Sequence, residues 1–239
     1  MSKVLVFDTE TVSLDKPFMY NLGWVVLDLE NGEHLEEKDY VIERVWHNIE
    51  LMNTAYYKEK RPLYIKRMRA RKVKMLPLSK VLSDLRKTIK KFNIKVAYAF
   101  NSRFDERVFD YNCEFYRLNN PLEQVEIRDI RKVVLGGRFN ISDYKDFINK
   151  SLAECEEWAK IRAKFITEKG RVKTTAESIY CYLMLDCNYC EEHTALEDSK
   201  IEAKILYAYF DFPLEEEENY YEVCCKIASK VNLKFEDED

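Results

Sequence analysis

The apolar run Lys3 to Phe7 is rich in β-branched residues and has no polar alternation, which predicts a strand covered on both faces. Trp24 to Leu29 and Tyr40 to Ile42 predict two further strands, with Asn31-Gly32 as a turn signal between them. Leu78, Val81, Leu82, Leu85, Ile89 and Phe92 recur at the helical period and define one apolar helix face. Lys95 to Phe100 is again strand-like, Phe104 to Leu118 helical, and Gln124 to Ile130 suits a fifth strand. From Ser151 onward the pattern is mostly helical and ends in a helix from about Ala195 to Phe210. Strands leading, then alternating with helices, make an α/β domain. One domain spanning 1–239 is expected, with no internal repeat and no flexible linker.

Charge changes this picture locally. The net charge of −4 does not announce a nucleic-acid partner. Nine lysines and arginines nevertheless crowd positions 58 to 74, against Glu59 as the sole acid, with Tyr56, Tyr57 and Tyr64 among or beside them. Acid collects at Glu215 to Glu218 and in the tail from Glu236 to Asp239. A basic helical insertion at about 45–77 and an acidic C-terminal tail follow. Within the insertion Lys66, Arg67, Arg69 and Arg71 are candidate contacts to a single strand, with a solvated charged face as the plain alternative. Seven cysteines at irregular spacings, with neither a signal peptide nor an apolar run near 20 residues, favour reduced thiols in a cytoplasmic protein with no membrane partner.

Three short segments carry the chemistry. Asp8-Thr9-Glu10 stands where the first strand runs out. Alternation along a strand aims both carboxylates to one side, and hard divalent cations relieve their repulsion. The spacing recurs at Asp28-Leu29-Glu30, where it reads as a strand end. The second segment, Asn101 to Asp105, follows another apolar strand and could bring Asp105 beside the first pair. A helix-start carboxylate favoured by the dipole explains Asp105 equally well. In the third, Thr194 and Glu197 fit a capping box, leaving His193 on the entering loop and Asp198 in the first helical turn. A histidine beside a helix-borne carboxylate suits a general base next to a metal. His34 and Asp39 repeat that separation without the cap, in an expected loop or turn. Cys187, Cys190 and His193, with Cys181 nearby, offer zinc-like spacing, yet no second Cys or His pair completes a finger.

In order, Asp8-x-Glu10, Asn101-x-x-Phe104-Asp105 and His193-x-Ala195-x-x-Asp198 resemble the motifs of the DEDDh family of 3′–5′ exonucleases. That family includes proofreading subunits of bacterial polymerases, ribonuclease T and oligoribonuclease. The resemblance covers Lys3 to about Leu206, except Val45 to Pro77, which has no counterpart in compact members. It implies an RNase H-like mixed β-sheet flanked by helices, two Mg²⁺ or Mn²⁺ ions, and release of nucleoside monophosphates from DNA or RNA. By resemblance Asp8 bridges both ions, Glu10 and Asp198 hold the ion on the nucleophile side, Asp105 holds the second, and His193 deprotonates the attacking water. Thr9, Leu14 and Asn101 correspond to positions near the terminal nucleotide. Val12-Ser13-Leu14 replaces the family's frequent Thr-Gly-Leu, and Phe100 stands where proofreading relatives often have His. Lys173 to Glu177 looks like stand-alone exonucleases of bacteria and phages. The alternative from another class is a catalytically inactive nucleic-acid-binding module on the same fold. Action alone, as a homodimer or beside a polymerase stays open.

Overall fold

The computed structural model describes residues 3–136, 141–151, 158–184, 186 and 188–211. Its centre is the apolar N-terminal run. β1 (Lys3–Thr11) buries Leu5, Val6 and Phe7 completely, as a strand covered on both faces must. β2 (Met19–Asp28) pairs antiparallel with β1, and β3 (His34–Ile42) antiparallel with β2. On the other side of β1, β5 (Val96–Ala99) and β6 (Glu126–Asp129) run parallel to it. β4 (Lys74–Leu76) pairs parallel with β3, so the order is β4-β3-β2-β1-β5-β6. This is a mixed α/β sheet in an RNase H-like arrangement, with β4 as an added edge strand.

Three strands are longer than hydropathy suggests. β1 runs past Phe7 to Thr11, so Asp8, Thr9 and Glu10 lie within it rather than where it runs out. β2 begins at Met19 because Asn21, a residue that ordinarily marks turns, is fully buried and hydrogen-bonded: its Nδ2 donates to Asp39 Oδ1 and to the Tyr40 carbonyl. β3 begins at His34 although its first half is charged, because that half is partly exposed. His34 and Asp39, expected in a loop or turn, therefore both lie on β3. His34 pairs with Glu37, and Asp39 is buried.

Between β3 and β4 the chain forms α1 (Glu43–His47), α2 (Ile49–Thr54), a 3-10 turn (Lys58–Lys60) and α3 (Arg61–Arg69). The segment expected as a helical insertion is thus mostly helical, and its last residues supply the sixth strand. α4 (Leu78–Phe92) packs on β3 and buries Leu78, Val81, Leu82 and Leu85 from the expected face. α5 (Ser102–Tyr116) follows β5 and packs on β1, β2, β5 and β6.

The chain divides into two compact units, Met1–Ile130 with Glu192–Ala203, and Arg131–Glu191 with Lys204–Asp239. The second contains most of α6 (Ile130–Gly136), then α7 (Ile141–Asp146), a π-helical turn (Phe147–Ser151), α8 (Trp158–Phe165), α9 (Ala176–Leu183) and the later part of α10 (Ala195–Asp211). Edge-to-face contacts among Tyr144, Phe147, Phe165 and Tyr182 build its interior. Thr175 and Ser178 close a capping box at the start of α9. The acidic tail lies outside the described residues. Among those described, no helix is long and apolar enough to cross a membrane.

One glycine sets the position of α10. Gly23 lies opposite Asp8 in the β1–β2 ladder. A Cβ there would stand 2.2 Å from the Leu196 amide nitrogen and 2.4 Å from the Ala195 carbonyl carbon. Both are backbone atoms, so the first turn of α10 reaches β2 only because residue 23 lacks a side chain. Ser199 Oγ donates to the Gly23 carbonyl at 3.2 Å and fixes the same approach. Gly23→Ala is expected to cost at least the upper end of the ~1–3 kcal/mol typical of overpacking. Chemical denaturation measures this, and an unchanged midpoint would show that α10 is not held against β2 in this way.

Candidate metal centre

Strand alternation places Asp8 and Glu10 on one side of β1, and the close approach at Gly23 brings Asp198 from the first turn of α10 to meet them. One carboxylate oxygen from each of Asp8, Glu10 and Asp198 lies within 4.8 Å of the others, the one His/Cys/Asp/Glu group of metal-holding geometry among the described residues. Glu10 and Asp198 are buried, and Asp8 is partly exposed. A β-bulge between Glu10 and Thr11 ends the regular pairing just past the pair. Tyr20 donates its hydroxyl to Glu10 Oε2 at 3.5 Å.

Asp105 approaches from the other element that the parallel pairing of β1 and β5 brings to this end of the sheet. It sits in the first turn of α5 at 1% exposure, deeper than a carboxylate serving only the helix dipole needs to be. Thr9 Oγ1 donates to Asp105 Oδ1 at 2.7 Å, bridging the two motifs. Thr9, itself buried, spends its hydroxyl there. Asn101 takes a left-handed conformation (φ 62°) before α5 and is exposed. Leu14, 70% exposed, lines the pocket with Asp8, Glu10, Ser13, Tyr56, Tyr57, Phe104, His193 and Asp198.

A fifth carboxylate joins them that the motifs do not mark. Glu202 lies one turn beyond Asp198 on α10, 3% exposed, and its Oε2 accepts the Phe100 amide at 3.2 Å. The helical i, i+4 step from Asp198 is the available signal, masked by the charged composition of that helix.

This concentration of acid has electrostatic consequences. Burial pushes the Asp8 carboxyl up to about 7, opposed by a hydrogen bond from the Thr9 amide. Burial first, and then the Asp8 charge, raises Asp105 well above the ordinary carboxylate range. Glu202 is raised by burial and by the charges of Asp8, Asp105 and Asp198. The charges of Asp8, Asp105 and Asp198 that raise Glu202 are ones that a bound cation would offset. The donor set, all oxygens, fits a hard divalent ion. Asp8, Glu10 and Asp198 would hold one ion; Asp105, buried and bonded to Thr9, lies outside that group.

His193 stands on the loop entering α10 with φ 53°, in the left-handed region. Its ring stacks on Tyr57, with centroids 4.4 Å apart and planes 12° from parallel. The capping box expected from Thr194 and Glu197 gives way to other contacts. Asn21 Oδ1 accepts the Ala195 amide at 2.9 Å, while Thr194 Oγ1 accepts from Arg67 and Glu197 pairs with Arg67. No family model matches the sequence, and no curated protein matches it.

The four candidate strand contacts, Lys66, Arg67, Arg69 and Arg71, have different surroundings. Arg67 is 14% exposed and meets Asp39, Glu192, Glu197 and Thr194. Lys66, Arg69 and Arg71 are exposed. Of the zinc-like cysteines, Cys181 is buried, Cys190 is exposed with its Sγ 3.3 Å from Lys164 Nζ, and Cys187 lies outside the described residues.

Proposed function

We propose that the protein is a 3′–5′ exonuclease that uses two Mg²⁺ or Mn²⁺ ions to hydrolyse single-stranded DNA or RNA from the 3′ end. The observation that carries this reading is the convergence of Asp8, Glu10 and Asp198 within 4.8 Å, with Asp105 buried alongside and His193 in the same pocket. Bound among these carboxylates, the ions would lower the pKa of water and stabilise the leaving oxygen. His193 takes the proton of the attacking water. The water oxygen bonds to phosphorus as the P–O3′ bond breaks, the released O3′ regains a proton from solvent, and a nucleoside 5′-monophosphate departs. Tyr56, 81% exposed, together with Leu14 and Phe104 offers apolar and aromatic surface to an unpaired terminal base.

Metal titration of the intact protein tests this reading against an inert fold. Mg²⁺ or Mn²⁺ at 100 times the dissociation constant should stabilise the wild type by about 2.7 kcal/mol. The gain should vanish in Asp198→Asn. Equal melting temperatures with and without either ion would remove the metal centre.

The exposed cations give a separate expectation. Neutralising Lys66, Arg69 and Arg71 together should raise KM on long strands. It should also flatten the salt dependence by about 0.7 in log–log slope for every phosphate that these side chains neutralise in the wild type. Hydrolysis of a dinucleotide should barely change. An unaltered salt slope would make these three residues a solvated face.

A further inference from the structure

We propose that the segment between β3 and β4 is a clamp on the catalytic histidine, in which Tyr57 and Arg67 are positioning residues for His193. The catalytic half of this inference rests on the exonuclease reading; the structural half does not. Two independent contacts carry it. Tyr57, just before the 3-10 turn, lies flat against the imidazole. Arg67, on α3, grips the chain on both sides of it: Nη2 donates to Glu192 Oε2 at 2.6 Å, and Nη1 to Thr194 Oγ1 at 3.1 Å. The same guanidinium reaches Glu197 at 3.4 Å in the first turn of α10 and Asp39 at 3.8 Å on β3.

The partners differ in what they contribute. Glu192 is half exposed, so its pair is screened by water. Thr194 and the Asp39 side chain are buried, which ties the guanidinium to the sheet at one end and the loop at the other. His193 needs such support. A histidine at φ 53° occupies a sparsely populated backbone region that persists only where its surroundings over-determine it. The flat ring contact then fixes the imidazole as the guanidinium holds the side chains of the residues on either side. A general base gains from this because proton transfer demands hydrogen-bond reach and alignment, and a small misplacement lowers the rate steeply. Tyr57 and Arg67 act on the reaction through His193, which separates them from the exposed cations that face a strand.

The test uses the full chain and reads two quantities. The first is the nuclear magnetic resonance of the His193 ring, distinguishable because the protein has three histidines. Stacking on Tyr57 should shift its ring protons upfield in the wild type. Tyr57→Leu should return them to ordinary positions, and Tyr57→Phe should keep the shift. The second is steady-state kinetics on a short strand. Tyr57→Leu should lower kcat on the order of 10–100-fold with KM held, and Tyr57→Phe should restore kcat. Arg67→Met leaves Asp39 buried without its cation, so its melting curve is measured first, and Glu192→Gln serves as the milder variant, expected to broaden the His193 signal. A His193 resonance unmoved by Tyr57→Leu overturns the clamp. So does a raised KM at full kcat, which would make Tyr57 a substrate contact. If the wild type cleaves no strand, the exonuclease reading fails, and the resonance decides the clamp without it.

Discussion

Asp8→Asn and Asp198→Asn should each abolish hydrolysis while leaving the sheet folded, because each removes an oxygen from the group that would hold the ions. The Asp8 carboxyl, raised by burial, costs the metal-free fold stability, so its removal is not expected to unfold it. The pH dependence follows with its sign. Asp8 titrates near 7 in the folded protein against an ordinary value of 3.8, and Asp105 and Glu202 are raised as well. Between about 4 and 7 the unfolded chain is ionised at these groups while the folded chain still holds protons, so folding takes protons up. Stability of the metal-free protein should therefore fall as pH rises through that window, and Asp8→Asn should flatten the fall. The gain from Mg²⁺ should grow over the same range, since the ion binds the deprotonated carboxylates. Thermal melts from pH 5 to 8, with and without Mg²⁺, check both signs. A metal-free protein that grows steadily more stable toward pH 8 would contradict the crowding of buried acid at this site.

His193→Ala should lower kcat by roughly 10²- to 10⁴-fold, the usual contribution of a general base, with the Mg²⁺-induced stabilisation kept. This separates the histidine from the carboxylates, whose removal should abolish both. Relief of the left-handed backbone at residue 193 is not expected from alanine, which tolerates φ 53° no better than histidine does. His193→Gly relieves it and should show the same loss of rate with a smaller loss of stability. A variant that turns over at the wild-type rate would remove His193 as the base. One that instead releases stoichiometric zinc and unfolds would support the cysteine–histidine alternative.

The parts of this site that are legible in the sequence are those set by local rules. Alternation along a strand gives Asp8 and Glu10 a common side, and the start of α10 at Ala195 places Asp198 in its first turn. Residues whose local preference is overridden by distant partners are not legible in this way. Asn21 looks like a turn former, yet it sits inside β2, saturated by Asp39, Tyr40, Tyr64 and Ala195. The charged start of β3 reads as loop because its exposed side chains carry no apolar alternation. Arg67 stands in the sequence as one cation among many. Its hydrogen bond to Thr194 joins residues 127 apart, which no spacing rule can anticipate. Glu202 is hidden for a related reason: its i, i+4 step from Asp198 does not stand out in a charged helix, and only the fold buries it against the Phe100 amide.

The most direct measurement follows a 5′-end-labelled single strand incubated with the intact protein and Mg²⁺ or Mn²⁺, beside the Asp8→Asn variant and a sample with chelator. The two-metal exonuclease reading predicts a ladder that descends from full length one nucleotide at a time in the wild type, and no shortening in the other two. A strand that stays full length in every metal condition, or one that the Asp8→Asn variant shortens at the wild-type rate, would contradict it.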